Sequence, residues 1–168
     1  MLVSFRNIVL VAIVVMLALS AGVLFLSNQP SDNGPVVAAD NSQADLISRG
    51  QYLVTAGNCA SCHTVGGGGF MAGGLAFETP FGKLYSTNIT PDPETGIGSW
   101  SDREFLNSMR YGIRPNGEHL YPAFPYTTFT KTSDADIAAM YAYLQSIPAV
   151  QQAAVANELG FPFNQRSL

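Results

Sequence analysis

The chain is sparing with the residues that usually carry chemistry: its 168 residues hold two cysteines, two histidines and one tryptophan. A zinc site would have to use all of Cys59, Cys62, His63 and His119, with the adjacent Cys62 and His63 reaching one tetrahedral ion. A disulfide-exchange pair would want a βαβ setting, but Thr-Val-Gly-Gly-Gly-Gly follows His63 with no β-rich stretch beside it. Positive charge is scarce as well. Beyond Leu26 the chain carries 12 acidic against 7 basic residues, a net of −5, which argues against nucleic acid as a partner.

Both cysteines fall in one pentad, Cys59-Ala60-Ser61-Cys62-His63. A CxxCH sequence reads as a covalent c-type haem site. Two thiols three positions apart can add to the two vinyl groups of one porphyrin while the next imidazole reaches the iron. The expectation is one covalent haem c, with Cys59 and Cys62 as thioethers and His63 as the proximal iron ligand.

Charge is also missing from Ile8 to Leu26, an uninterrupted apolar run of about span length at 1.5 Å rise per residue. Arg6 precedes it and no basic residue follows until Arg49, which predicts a cytoplasmic N-terminus with the remainder outside. A cleaved signal is the alternative, but Val37-Ala38-Ala39 lies well beyond the apolar run. The reading is a retained N-terminal transmembrane helix over 1–26, placing the protein at the bacterial inner membrane with its haem domain facing the periplasm. A flexible linker follows over 27–43, rich in Ser, Asn, Asp, Pro and Gly.

The folded domain is expected over 44–150. Leu46, Ile47, Gly50, Leu53 and Val54 recur at helical spacing, and Gly57 ends that run just before the pentad. The Gly- and Pro-rich stretch from Thr64 to Gly98 reads as loop wrapped on a porphyrin, with Asp92 and Glu94 in a turn. Ser101 with Glu104 forms a capping box for a second helix, and Ser133 caps a third that Pro148 stops. Gly50 lets the first and last helices approach closely. The predicted fold class is therefore all-α, a class I cytochrome c-like domain. Trp100 reads as core packing or a donor to a haem propionate, and Pro80 as the source of a carbonyl for His63 Nδ1.

Four further stretches extend the pattern: Gly73 to Gly82, Ser86-Thr87-Asn88-Ile89-Thr90-Pro91-Asp92, Gly96 to Trp100, and Leu120-Tyr121-Pro122-Ala123-Phe124-Pro125-Tyr126. Together they resemble the cytochrome c subunits of membrane-bound periplasmic dehydrogenases, the bacterial alcohol, gluconate and aldehyde oxidising systems, over about Ile47 to Val150. Those subunits commonly carry three haem domains, and the resemblance is to the first alone. Residues 151–168 look like the family's connector into a second domain.

In related Tyr-Pro-Ala-Met-Pro-Tyr loops the methionine is the sixth iron ligand, and Phe124 stands there in this chain. His119 in the same loop is the leading replacement, with Met71, Met109, Met140 or an open iron as alternatives. The resemblance implies an electron carrier rather than an enzyme, and with the single pentad and the apolar run the reading is a membrane-anchored mono-haem cytochrome passing electrons from a periplasmic dehydrogenase to quinone or a terminal oxidase. A haem enzyme acting on peroxide or small gases, or a structural subunit of a respiratory complex, are the other classes.

Overall fold

The computed structural model describes residues 7, 12–20 and 42–164. The chain divides into two units, 1–33 and 34–168. In the first, residues 12–20 are helical. The second begins its described part with α1 (Gln43–Ala56), whose N-cap Ser42 accepts from the Asp45 N–H at 3.2 Å. It then has α2 (Cys59–His63), strands β1 (Ala76–Thr79) and β2 (Gly82–Tyr85), helices α3 (Asp102–Tyr111), α4 (Tyr126–Phe129) and α5 (Asp134–Ser146), and strand β3 (Glu158–Leu159).

Local chemistry explains the helix limits. Both halves of the capping box form: the Glu104 N–H donates to Ser101 Oγ at 3.3 Å and the Ser101 N–H donates to Glu104 Oε2 at 2.7 Å. Ser133 accepts from the Asp136 N–H at 3.1 Å to start α5, and Pro148 holds Ile147 extended after it. The apolar faces of α1, α3 and α5 meet in one core containing Val54, Phe105, Leu106, Met109, Ile137, Met140, Tyr141 and Leu144, together with Met71 and Ile97 from the intervening loops. Helices α1 and α5 cross where Gly50 faces the Ala139 backbone, so that a Cβ on residue 50 would lie 1.9 Å from the Ala139 oxygen.

The all-α expectation is corrected by a three-stranded antiparallel sheet in the order β1-β2-β3. Pro80 and Phe81 are not merely loop; they turn the chain between the paired residues Thr79 and Gly82. Thr79 Oγ1 secures the turn, donating to the Gly82 carbonyl at 2.6 Å and accepting from the Phe81 N–H at 3.2 Å. Along β1, Phe77 and Thr79 are half-buried while Ala76 and Glu78 are exposed, the period of two that a one-sided strand requires. The third strand comes from the connector-like tail. The Tyr85 N–H donates to Asn157 Oδ1 at 3.0 Å and Tyr85 Oη donates to Glu158 Oε1 at 2.8 Å.

The transmembrane expectation is corrected too: among the described residues no helix is long and apolar enough to cross a membrane. Apart from residues 12–20, the run from 8 to 26, like most of the 27–43 linker, lies outside the described residues.

The loop before α3 is organised by polar side chains. Asn88 Oδ1 accepts from the N–H and hydroxyl of Thr90 at 2.9 and 2.7 Å, and Asn88 Nδ2 donates to the Val150 carbonyl at 2.7 Å. Asp92 Oδ1 accepts from the Thr95 hydroxyl and N–H, both at 2.7 Å, and from the Glu94 N–H at 3.2 Å. These bonds hold its carboxyl below the usual range, the Thr95 hydroxyl contributing most. The Asp92–Glu94 turn is thus held by bonds within the loop, and Asn88 ties that loop to the segment after α5.

Candidate functional site

The pentad sits where α1 gives way to α2. The Gly57 N–H donates to Leu53 O at 2.8 Å and the Asn58 N–H to Thr55 O at 3.0 Å, closing the first helix. Asn58 then takes the left-handed conformation, φ 53°, one of the few non-glycine residues that does so at modest strain. The chain restarts as a single helical turn braced by Ser61, whose hydroxyl donates to Asn58 O at 2.8 Å. Cys59 and Cys62 are i and i+3 on that turn, so they share one face. Both are free thiols: Cys59 is half-buried, with burial pushing its thiol up, and Cys62 is exposed.

His63 ends the turn with Nδ1 2.7 Å from the Thr87 carbonyl. A carbonyl only accepts, so Nδ1 carries the proton and Nε2 keeps its lone pair. Burial pushes the imidazole below its ordinary value, and the Thr87 bond opposes this only in part. His63 is thereby held neutral with Nε2 unprotonated, the form that binds a metal.

Thr87 replaces Pro80 as the carbonyl partner, since Pro80 is committed to the hairpin turn. Residues 86–89 reach His63 because they run beside 71–75: the Gly74 N–H donates to Ser86 O at 2.9 Å, the Ser86 N–H to Leu75 O at 2.9 Å and the Ile89 N–H to Met71 O at 3.0 Å. No side chain marks a backbone carbonyl for such a role, and the sequence carries no signal for it.

The structure does not gather the remaining sequence candidates into a bare-ion site. Among the described residues no three His, Cys, Asp or Glu side chains are grouped to hold a metal, so the zinc alternative has no constellation. His119 is exposed in the loop between α3 and α4, its backbone bridged to Ile113. Phe124 is half-buried and stacks on Phe129 with ring centroids 5.7 Å apart. Met71, Met109 and Met140 are 1%, 6% and 3% exposed and all belong to the core.

A haem group is tested against this donor set by two observations. Its anchors are present in usable form: two free thiols on one face and a ligating histidine tautomer. An apolar fringe is present as well, for Leu53, Ala60, Ile89, Trp100, Phe124 and Phe129 pack with Cys59 on the core yet remain half-exposed. The residues fit.

Comparison with known proteins gives the same answer. Residues 47–148 match the family described as cytochrome c. The chain is 61% identical over 125 residues to a nicotinate dehydrogenase subunit of Pseudomonas putida, covering 74% of this chain and 10% of that protein. It is 44% identical over 131 residues to the gluconate 2-dehydrogenase cytochrome c subunit of Pantoea cypripedii, covering 77% and 30% respectively. With the quinone alcohol dehydrogenase cytochrome c subunit of Gluconobacter oxydans the identity is 42% over 134 residues, covering 79% and 28%. The chain thus spans less than a third of the length of these three relatives. By its family match and these relatives, the chain belongs to the cytochrome c family, electron-transfer proteins that bind haem c covalently.

Proposed function

We propose that this chain is a mono-haem cytochrome c that takes electrons from a dehydrogenase on the periplasmic side and passes them towards quinone or a terminal oxidase. The observation that carries this reading is the His63 geometry, a neutral imidazole fixed by Thr87 at the end of a turn that presents Cys59 and Cys62 on one face. Haem bound there supplies a one-electron couple between ferric and ferrous iron. Cys59 and Cys62 would anchor the group, His63 Nε2 would bind its iron, and the Thr87 carbonyl orients the imidazole ring. Leu53, Ile89, Trp100 and Phe129, half-buried against the core, would offer it apolar surface. One pentad supports one haem per chain.

A dehydrogenase as electron donor is supported by the relatives named as gluconate and alcohol dehydrogenase cytochrome c subunits. The full chain purified with its haem and its bound dehydrogenase is expected to become ferrous when that enzyme's substrate is added. A haem that stays ferric while the enzyme turns over with an artificial acceptor contradicts the carrier role.

His119 is the sixth ligand in this reading. Phe124 has no donor atom, three methionines are enclosed in the core, and His119 is the one imidazole besides His63. His119→Ala is expected to convert a low-spin spectrum to high-spin and to open the iron to carbon monoxide. A near-infrared sulfur-to-iron charge-transfer band in the native ferric protein would overturn the assignment in favour of a methionine.

A further inference from the structure

Gly73 sits between the proximal histidine and the carbonyl that orients it. Its N–H donates to the His63 carbonyl at 2.8 Å, and its own carbonyl accepts from Gln152 Nε2 at 3.1 Å. With φ at +77°, it lies in the region that favours glycine. Space is the second constraint. A Cβ on residue 73 would lie 2.4 Å from the Thr87 carbonyl carbon and 2.5 Å from its oxygen, the atom that accepts from His63 Nδ1. Any side chain there displaces the Thr87 carbonyl.

Gln152 secures this arrangement from the segment after α5. Its backbone N–H donates to Thr95 Oγ1 at 2.9 Å, which ties it to the ordered loop before α3. Its side-chain amide lies against the Gly73-Gly74 pair, since a Cβ on residue 74 would be 2.8 Å from Nε2. A residue far from the pentad in sequence therefore reaches the backbone that holds His63.

We propose that Gly73, clamped by the Gln152 side chain, is a positioning residue that keeps the Thr87 carbonyl on His63 Nδ1 and thereby lowers the reduction potential of the haem. The inference rests on the reading of His63 as the proximal ligand. A carbonyl accepting the Nδ1 proton moves electron density towards Nε2, which makes the imidazole a better donor to iron and favours the ferric state. Loosening that hydrogen bond moves the potential up.

The test uses the holoprotein with Gly73→Ala and, separately, Gln152→Leu, which removes the amide donor without adding charge. Haem content and histidine ligation are checked first by mass and by the optical spectrum. Wild-type protein lacking a covalently attached, histidine-ligated haem would remove the underlying reading itself. In haem-loaded variants the expected results are an upward shift of the midpoint potential and faster exchange of the His63 Nδ1 proton, read by NMR of the reduced protein. Gly73→Ala should show the larger shift. Should that variant fail to fold, Gln152→Leu decides alone. An unchanged or lowered potential, with unchanged proton exchange, in a haem-loaded variant overturns the proposal.

Discussion

Gly50→Ala is expected to destabilise the domain by about 2 kcal/mol net and to lower its melting temperature by roughly 8 °C or more. The added methyl group meets the Ala139 backbone, with its carbonyl oxygen 1.9 Å and its carbonyl carbon 2.6 Å away. No rotamer change relieves a clash with backbone, so α1 and α5 must separate. Overpacking of this kind costs about 3 kcal/mol, while alanine returns ~1 kcal/mol of helix propensity. The Arg49–Asp136 ion pair beside the crossing does little to resist the separation, because Arg49 is 55% exposed. Since α1 leads directly through Asn58 into Cys59, the displacement also reaches the pentad. Urea denaturation of haem-loaded wild type and variant measures the effect, and a variant of equal or greater stability contradicts the close-packed crossing.

Much of this organisation was legible because it is local. Ser101 with Glu104 and Ser133 before Asp136 announce helix starts through bonds made within three residues. The spacing of Cys59, Cys62 and His63 follows from the dimensions of a porphyrin and reads without any fold. Gly50 was legible as a helix contact because a glycine at an apolar helical position has few other uses.

The features that escaped depend on distant partners. The stretch from Thr64 to Gly98 reads as loop, yet Pro80 and Phe81 turn a hairpin whose strands are four residues each, too short for periodicity to stand out. Its third strand pairs Gly82 with Leu159 and Lys83 with Glu158, across most of the domain's sequence. The family resemblance made that tail a connector, and two residues of strand are too few to read from the sequence. The Thr87 carbonyl escaped for a different reason: its role depends on 86–89 lying beside 71–75, and a backbone oxygen has no letter in the sequence. The departure at Phe124 was legible only against the resembling Tyr-Pro-Ala-Met-Pro-Tyr loops.

Removing the two thiols is the other change with a large expected effect. Cys59→Ala with Cys62→Ala should abolish covalent haem attachment altogether, because these are the only cysteines in the chain. The fold should weaken as well. Leu53, Ala60, Ile89, Trp100, Phe124 and Phe129 pack on the core while keeping part of their apolar surface outside it. Covering them contributes stabilisation on the order of 25 cal/mol for each Å² of apolar surface removed from water.

The central claim is one haem held covalently by Cys59 and Cys62, and the most direct measurement is the intact mass of the purified protein after acid–acetone extraction. The account predicts a mass greater than the polypeptide by one haem, retained through extraction and lost in the double variant. A bare polypeptide mass for the wild type, or haem that partitions into the acetone, would contradict it.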